Sequence, residues 1–238
     1  MKRLILLLPF VVVLPTHAET LAQFEQKLIQ KYANKDFYQV NQAIESDIVH
    51  KIENDPASFN YSFPAFEDHY HVRIQFSPDK HLKFYTFDVG GGGTMGEYSS
   101  YVQTQKSGKT HLTPVEAGLI FDVKQTVLME KPVYLVNSYY KGSSCIGAYM
   151  IDALQPTQTG LIQTVKIFQT KTKLLDRIQV DFDCNNHEGP NDAPDYIRSD
   201  KNLNHIDIML LDKNGKPQAK YLRYRKTNTV YQYIGVVK

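Results

Sequence analysis

The chain has 238 residues, of which 42% are hydrophobic and 22% charged, which is enough for one good-sized domain or two small ones. Its formal net charge is +2, and removal of Lys2 and Arg3 would leave 25 basic and 25 acidic residues. Proteins bind nucleic acids by neutralising phosphates with surplus Lys and Arg, so the balanced charge argues against a nucleic-acid partner. The 16 tyrosines and 12 phenylalanines, with no tryptophan, favour β-sheet structure.

Residues 1–18 have the three parts of a secretory signal peptide. Lys2 and Arg3 supply the positive start, Leu4 to Leu14 form an apolar run, and Thr16-His17-Ala18 places small residues before a cleavage point at Glu19. The run is much shorter than the roughly 20 residues of a membrane-spanning helix, and no later stretch approaches that length. An uncleaved anchor is the alternative. We therefore expect a single exported domain over residues 19–238, without a membrane span after cleavage, that is periplasmic or secreted.

The first part of this domain, residues 19–54, is predicted to be a helical hairpin. Apolar residues recur there at spacings of three and four, and Thr20 and Asp36 stand where N-caps are expected. We expect the two apolar stripes to pack on a sheet of the same chain. The first stripe comprises Leu21, Phe24, Leu28 and Tyr32, and the second comprises Phe37, Val40, Ile44, Ile48 and Ile52.

From residue 61 to residue 238 the apolar pattern changes to a period of two, which is typical of strands. About ten strands are joined mostly by short turns, including the hairpin signal Asn214-Gly215, while residues 185–204 form one long polar loop. Short connections favour an antiparallel meander. The predicted fold class is therefore α+β and mainly β, with a large antiparallel sheet after the helical hairpin, curled into a barrel-like or propeller-like form.

The two cysteines, Cys145 and Cys184, both lie in the expected exported domain. An isolated pair in an oxidising compartment is most simply a disulfide bond. A disulfide that closes the loop between Cys145 and Cys184 would stabilise the folded protein by roughly 4 kcal/mol in the chain-entropy account. Two free thiols, one of them reactive, are the alternative.

Three segments of the sequence resemble a group of secreted bacterial proteins that have no assigned activity. The segments are Lys83 to Met95, which ends in Asp88-Val89-Gly90-Gly91-Gly92-Gly93-Thr94-Met95, then Tyr140-Lys141-Gly142-Ser143-Ser144, and residues 167–173. That group has turns of the types D-x-G-x-G-G-T-M and Y-G-K-G-S, followed by repeated hairpins. The resemblance spans roughly residues 70–238 and implies a secreted β-rich architecture, but no chemistry.

The four glycines Gly90, Gly91, Gly92 and Gly93 are the most unusual string in the chain. A glycine-rich loop cradles phosphate when a helix follows it, whereas here residues 98–103 are predicted to be a strand and no Lys-Ser or Lys-Thr pair follows. A tight crossing or a close backbone approach is the structural interpretation. If a ligand binds at this loop, Asp88, Thr94 and Ser99 are the expected polar partners.

His69 and His71 are the best candidate metal ligands. On a strand, side chains at positions i and i+2 share a face, so both imidazoles could reach one ion. A third ligand would be needed, and neither His81 nor Asp68 has a recognisable ligand spacing.

A second metal pattern is weaker. Asp181, Asp183, Asn185 and Asp192 occupy the first, third, fifth and twelfth places of a calcium loop. Asn186 stands in place of the required glycine, and no flanking helices are predicted. A solvated acidic loop is the alternative interpretation, and no sequence pattern predicts a bound cofactor.

No catalytic signature stands out in the sequence. We therefore expect a non-enzymatic periplasmic or secreted module that binds a protein partner or a small molecule. One alternative is an exported hydrolase with a site near the Gly90–Gly93 loop. The other is a structural or interaction protein of the cell envelope, for which a large exposed aromatic patch would be the expected sign.

Overall fold

The computed structural model describes residues 19–186 and 195–238, so the predicted signal peptide, residues 1–18, lies outside the described part of the chain. Two helices form the predicted hairpin: α1 (Leu21–Tyr32) and α2 (Phe37–Asn54). Both predicted N-caps are confirmed, because the side chain of Thr20 accepts a hydrogen bond from the backbone N–H of Gln23 and that of Asp36 accepts one from Tyr38. Within the described residues, no helix is long and apolar enough to cross a membrane.

A third helix, α3 (Pro64–Tyr70), follows a 3-10 turn (Pro56–Phe59) and was not predicted. Its N-cap residue, Phe63, has a left-handed backbone and offers no capping side chain. The cap comes from α1 instead, since the buried carboxylate of Glu25 accepts a hydrogen bond from the Ala65 N–H at 3.0 Å. Because this capping group lies 40 positions away, the local sequence pattern could not reveal the start of α3.

The described strands form three sheets. The first is an antiparallel meander of β1 (Arg73–Phe76), β2 (Leu82–Asp88), β3 (Tyr98–Lys106) and β4 (Lys109–Val115). The second contains, in spatial order, β11 (Arg177–Asp183), β7 (Ile146–Pro156), β6 (Lys131–Lys141) and β5 (Leu119–Leu128), with β8 (Ile162–Thr164) beside β7. The third contains, in spatial order, β10 (Leu174–Leu175), β9 (Phe168–Gln169), β15 (Tyr231–Val237), β14 (Pro217–Lys226), β13 (His205–Leu211) and β12 (Ile197–Ser199).

The α+β, mainly β fold class is confirmed, and the sequential strands of the first two sheets pair as antiparallel meanders. The period of two also predicts a pair of strands over residues 161–168 and 174–182, and the structure forms that pair over two residues only. The predicted strand over residues 161–168 is divided between β8, which pairs with β7, and β9, which pairs with β10 over two residues. The strand predicted to be its partner mostly becomes β11, which pairs with β7 over seven residues.

The predicted disulfide between Cys145 and Cys184 is confirmed. The two cysteines directly adjoin the paired ends of β7 and β11, where the Cys184 N–H also donates to the Cys145 carbonyl at 2.9 Å. The bond therefore fastens β11 to β7, its neighbour in the second sheet.

Three buried clusters separate four layers, which are the helices and then the first, second and third sheets. Strand β2 shows how the period of two produces this arrangement. Leu82 and Phe84 pack toward the second sheet, whereas Tyr85 and Phe87 pack toward the helices. The expectation that the helical stripes pack on a sheet of the same chain is thus confirmed.

Candidate ligand-binding site

The glycine-rich segment is a loop that closes at the ends of β2 and β3. The Val89 N–H donates to the Glu97 carbonyl at 2.9 Å, and Asp88 Oδ1 accepts a hydrogen bond from the Gly90 N–H at 3.1 Å. At the far end of the loop, the Gly96 N–H donates to the Lys141 carbonyl at 2.9 Å. Two of the segments that carry the family resemblance, residues 83–95 and 140–144, therefore lie next to each other in the fold.

Helix α2 packs against the same loop through two side chains. The buried Asn41 donates from Nδ2 to the Gly90 carbonyl at 2.7 Å. Gly92 has a φ of 81°, and a Cβ placed there would lie 3.3 Å from the Tyr38 ring. The glycine at this position permits both a left-handed backbone and a close approach to an aromatic ring. At Gly92, the structure therefore agrees with the close backbone approach that the sequence suggests.

A shallow cavity of about 500 Å³, wide open to solvent, lies beside the loop, and we call it the Asp88 cavity. The meander brings the start of β1, the end of β2 and the start of β3 to the same edge of the first sheet. The first turn of α2, the middle and the C-cap of α3, and the first residue of β5 complete the wall. The lining residues are Tyr38, Glu67, His71, Val72, Arg73, Asp88, Tyr98 and Leu119.

Asp88 and Tyr98 are a cross-strand pair in the lining of this cavity, because they are directly opposite each other in the β2–β3 register. Burial, followed by the charge of the Asp88 carboxylate, raises the pKa of Tyr98, while the positive charge of Arg73 opposes that rise. The Tyr98 phenol therefore stays protonated at neutral pH and can donate a hydrogen bond.

The predicted ligand-binding residues are only partly brought together. Asp88 lines the cavity, but Gly90, Gly91, Gly92, Gly93 and Thr94 are absent from its lining. Gly91, Gly93 and Thr94 are exposed to solvent. The glycines shape the turn that follows Asp88, and the side chains that face the cavity come from strand and helix ends.

The strand geometry assumed for His69 and His71 is wrong. His69 lies in α3, and His71 is the C-cap of that helix with a left-handed backbone at φ 53°. The two residues thus do not have the i, i+2 relationship of a strand, and His71 instead lines the Asp88 cavity and contacts the Phe37 ring edge-on at 5.1 Å. Helix α3, whose start is capped by Glu25, is the reason that His69 and His71 do not lie on a strand. Metal binding by the pair stays a prediction.

The calcium-loop pattern is only partly within the described residues. Asp181 and Asp183 belong to β11, Asn185 lies in a short 3-10 turn, and Asp192 lies outside the described part of the chain. Within residues 19–186 and 195–238, the one group of three ligand-type side chains that come close together is Cys145, Asp183 and Cys184. Both of its sulfur atoms are consumed by the disulfide, so it is not a thiolate metal site.

Sequence reasoning missed four polar side chains of the Asp88 cavity: Tyr38, Glu67, Arg73 and Tyr98. One signal could have found Tyr98, because it is the first residue of the strand that pairs with the strand ending at Asp88. The other three come from α2, α3 and the start of β1, and their convergence depends on how the helices pack on the first sheet.

The arrangement combines two carboxylates, one guanidinium, one imidazole and two phenols around one cavity. Such a set can accept and donate several hydrogen bonds to a polar molecule, and the tyrosine rings add flat apolar faces.

Comparison with protein-family models, with curated protein sequences and with solved structures found no match to the chain.

Proposed function

We propose that the protein is an exported, non-enzymatic module that binds a small polar ligand in the Asp88 cavity. The observation that carries the proposal is the convergence of Asp88, Arg73, His71 and Tyr98 on one cavity at the end of the first sheet. Clefts of roughly 300–1,000 Å³ with a few convergent polar groups are the usual form of small-molecule sites. The signal-peptide pattern and the disulfide support an oxidising compartment, either the periplasm or the exterior.

The lining chemistry favours a polyhydroxylated ligand such as a sugar. Glu67 uses Oε1 to accept a hydrogen bond from the Ile74 N–H at 3.3 Å, and Asp88 uses Oδ1 for Gly90. The second oxygen of each carboxylate has no donor among the residues that the structure describes. These oxygens can accept hydrogen bonds from the hydroxyl groups of a sugar, and Arg73 can donate hydrogen bonds to the oxygens of those hydroxyl groups. Tyr38 and Tyr98 offer ring faces for the apolar side of the sugar.

The test uses NMR of a sample with labelled tyrosines, because the chain contains no tryptophan for fluorescence. Glucose, N-acetylglucosamine and glycylglycine would be titrated separately. We expect a sugar to produce saturable shifts of the Tyr38 and Tyr98 signals. Asp88→Asn keeps an oxygen for the Gly90 N–H but removes the charge, and it should weaken binding about tenfold or more, as expected for a hydrogen bond to a charged group.

Asp68→Asn is the matched control, since Asp68 is an exposed carboxylate on α3 that does not line the cavity. This variant should bind like the parent protein. If no probe shifts the two tyrosines, or if Asp88→Asn binds as tightly as Asp68→Asn, the proposal is wrong.

A hydrolase is a second candidate, because Asp88, Glu67 and His71 place two carboxylates and an imidazole around the same cavity. Release of p-nitrophenol from an acetate ester and from a glycoside would test it. Activity that Asp88→Asn or His71→Gln abolishes, while Asp68→Asn retains it, would favour the hydrolase over the binding module.

A further inference from the structure

The charges of the chain nearly balance as a whole, but they are separated between its layers. The strands and turns of the third sheet, residues 166–175 and 195–238, contain 12 basic and 4 acidic residues. The helical layer, residues 19–72, contains 4 basic and 9 acidic residues. These regions are the two end layers of the stack, so the molecule has a positive end and a negative end. Charges separated in this way orient a protein toward a charged partner.

Most cations of the positive end have no acidic partner. Within the described residues, two of the 12 form salt bridges, Arg198 and Arg223, and both pair with Asp207. In the helical layer, three of the nine acidic side chains pair with lysines of that layer, and four more accept hydrogen bonds. The described part of the third sheet therefore keeps ten cations for an outside partner, whereas the helical layer offers no matching set of anions.

Strand register shows which cations lie on the outer face of the third sheet. Ile206 and Tyr224 pack in the cluster between the second and third sheets, so their neighbours in β13 and β14 point to the outer face. Asp207 and Arg223 form one cross-strand row of that face, and Arg225 belongs to the next row. Arginines therefore lie at the middle of the outer face, on the central strand β14.

Asp207 holds two arginines in place on this face. Arg223 donates from Nε and Nη2 to its two oxygens, both at 2.8 Å, and Arg198 donates from Nε at 3.2 Å. The Arg198 guanidinium also lies 3.6 Å from the centroid of the Tyr221 ring. The Asp207 side chain is 6% exposed, whereas those of Arg198 and Arg223 are 38% and 31% exposed. The carboxylate is thus covered, and two guanidinium groups, which suit phosphate oxygens, are open to solvent.

Exposed aliphatic side chains lie at one side of the same sheet. Strand β15 pairs with β9 through two residues only, the second of which is Gln232, so beyond it this side of β15 has no partner strand among the described residues. Ile234 and Val236 follow there and are exposed. The Lys171 ammonium group, from the β9–β10 turn, lies 5.8 Å from the Tyr233 ring at the same edge. Cations beside exposed aliphatic groups suit a membrane surface better than a soluble polyanion, because a membrane has anionic headgroups above apolar chains.

We propose that the third sheet is a docking surface for an anionic lipid membrane. Arg198, Arg223 and Arg225 bind headgroup phosphates, the exposed lysines of the sheet add attraction, and Ile234 and Val236 reach the apolar boundary below the headgroups. The helical layer, at the opposite end of the stack, faces away from the membrane. The proposal is independent of the sugar site, because no residue of the third sheet lines the Asp88 cavity.

The test is co-sedimentation with vesicles of one part phosphatidylglycerol to two parts phosphatidylcholine. Vesicles of phosphatidylcholine alone are the uncharged reference and also measure any binding through other apolar segments. We expect at least about a hundredfold tighter binding to the anionic vesicles at about 0.05 M salt, and loss of most of this difference at about 0.5 M salt, where charges are screened within a few ångströms. Equal binding to the two kinds of vesicle would overturn the proposal.

A triple variant, Lys171→Gln with Lys173→Gln and Arg225→Gln, tests the location of the surface. All three side chains are exposed. Each Lys or Arg near an anionic surface strengthens binding about fivefold, so this variant should bind the anionic vesicles about a hundredfold more weakly.

The matched control is Lys35→Gln with Lys109→Gln and Lys131→Gln, which removes the same charge from exposed lysines of the other three layers. It should bind like the parent protein. If the two triple variants lose the same affinity, the attraction depends on net charge and the third sheet is not the docking surface.

Two further measurements decide between the membrane and other partners. Ile234→Ser with Val236→Ser should weaken binding to the anionic vesicles about tenfold and leave binding to soluble dextran sulfate unchanged; full vesicle binding by this variant would assign the surface to a soluble polyanion. Sedimentation velocity without vesicles should show one unassociated species. Self-association at low salt that the Lys171 triple variant abolishes would assign the surface to a second copy of the chain.

Discussion

Lys83 provides the sharpest test of the structure, because it is a completely buried lysine at the second position of β2. Its ammonium group donates to the carbonyl oxygens of Ser58 and Tyr61. It also lies 4.8 Å from the ring centroid of Phe63 and 5.1 Å from that of Tyr85. Among the residues that the structure describes, no carboxylate pairs with it. Burial without an opposite charge is the condition that most disfavours a protonated lysine.

Burial lowers the pKa of Lys83 from its ordinary value of 10.5 to about 7. Between these two pH values, the unfolded chain binds a proton at this lysine that the folded protein largely lacks. Folding stability must therefore rise with pH across this window. For this single group, linkage gives a gain of roughly 1–2 kcal/mol in the free energy of unfolding between about pH 7 and pH 8.5. Above about pH 9.5 the gain is opposed, because buried tyrosines with raised pKa values, such as Tyr85, cannot ionise as readily as in the unfolded chain.

The assay is urea unfolding of the protein at several pH values from about 6 to 9, repeated for Lys83→Met. The parent protein should gain stability as the pH rises, and the variant should show a nearly flat profile. The quantity compared is the slope of the free energy of unfolding against pH. The absolute stability is not compared, because Met leaves the carbonyl groups of Ser58 and Tyr61 without their donor and so destabilises the variant at every pH. Lys109→Met, at an exposed lysine of β4, should keep the parent slope. If Lys83→Met keeps that slope as well, the buried lysine is not the group that titrates.

Two further predictions concern the covalent and backbone constraints of the fold. Replacing Cys145 and Cys184 together by Ser should lower the free energy of unfolding by about 4 kcal/mol, as chain entropy predicts for a separation of 39 residues; an unchanged urea midpoint would contradict this. Gly92→Ala should cost about 1–2 kcal/mol, because φ is 81° and the added methyl group would meet the Tyr38 ring. Gly93→Ala is the matched comparison, since φ is 92° but nothing lies within 4 Å of the added carbon. Thermal unfolding that ranks Gly93→Ala as the more damaging change would refute the contact with Tyr38.

Some features follow from residues that are near one another in the chain. Thr20 and Asp36 cap their own helices within a few positions, and the apolar stripes of α1 and α2 are set by the helical repeat. The Asn214-Gly215 turn joins β13 and β14 as its dipeptide predicts. The disulfide pairing was also predictable, since two cysteines leave a single intramolecular pairing.

The sites depended on contacts between distant residues. Glu25 caps the start of α3, and because of this helix His69 and His71 do not lie on the strand that the sequence predicts for them. The Asp88 cavity needs the ends of separate strands to meet helices that lie tens of residues away in the chain.

By itself, the sequence determined the predicted export signal, the mainly β class, the helical hairpin and the covalent link. Only the tertiary structure decided which polar side chains share a cavity and that Lys83 is buried without a counter-charge. The physical reason is the range of the interactions. Capping, periodicity and turn formation act over a few residues, whereas strand register and the packing of layers join residues tens of positions apart.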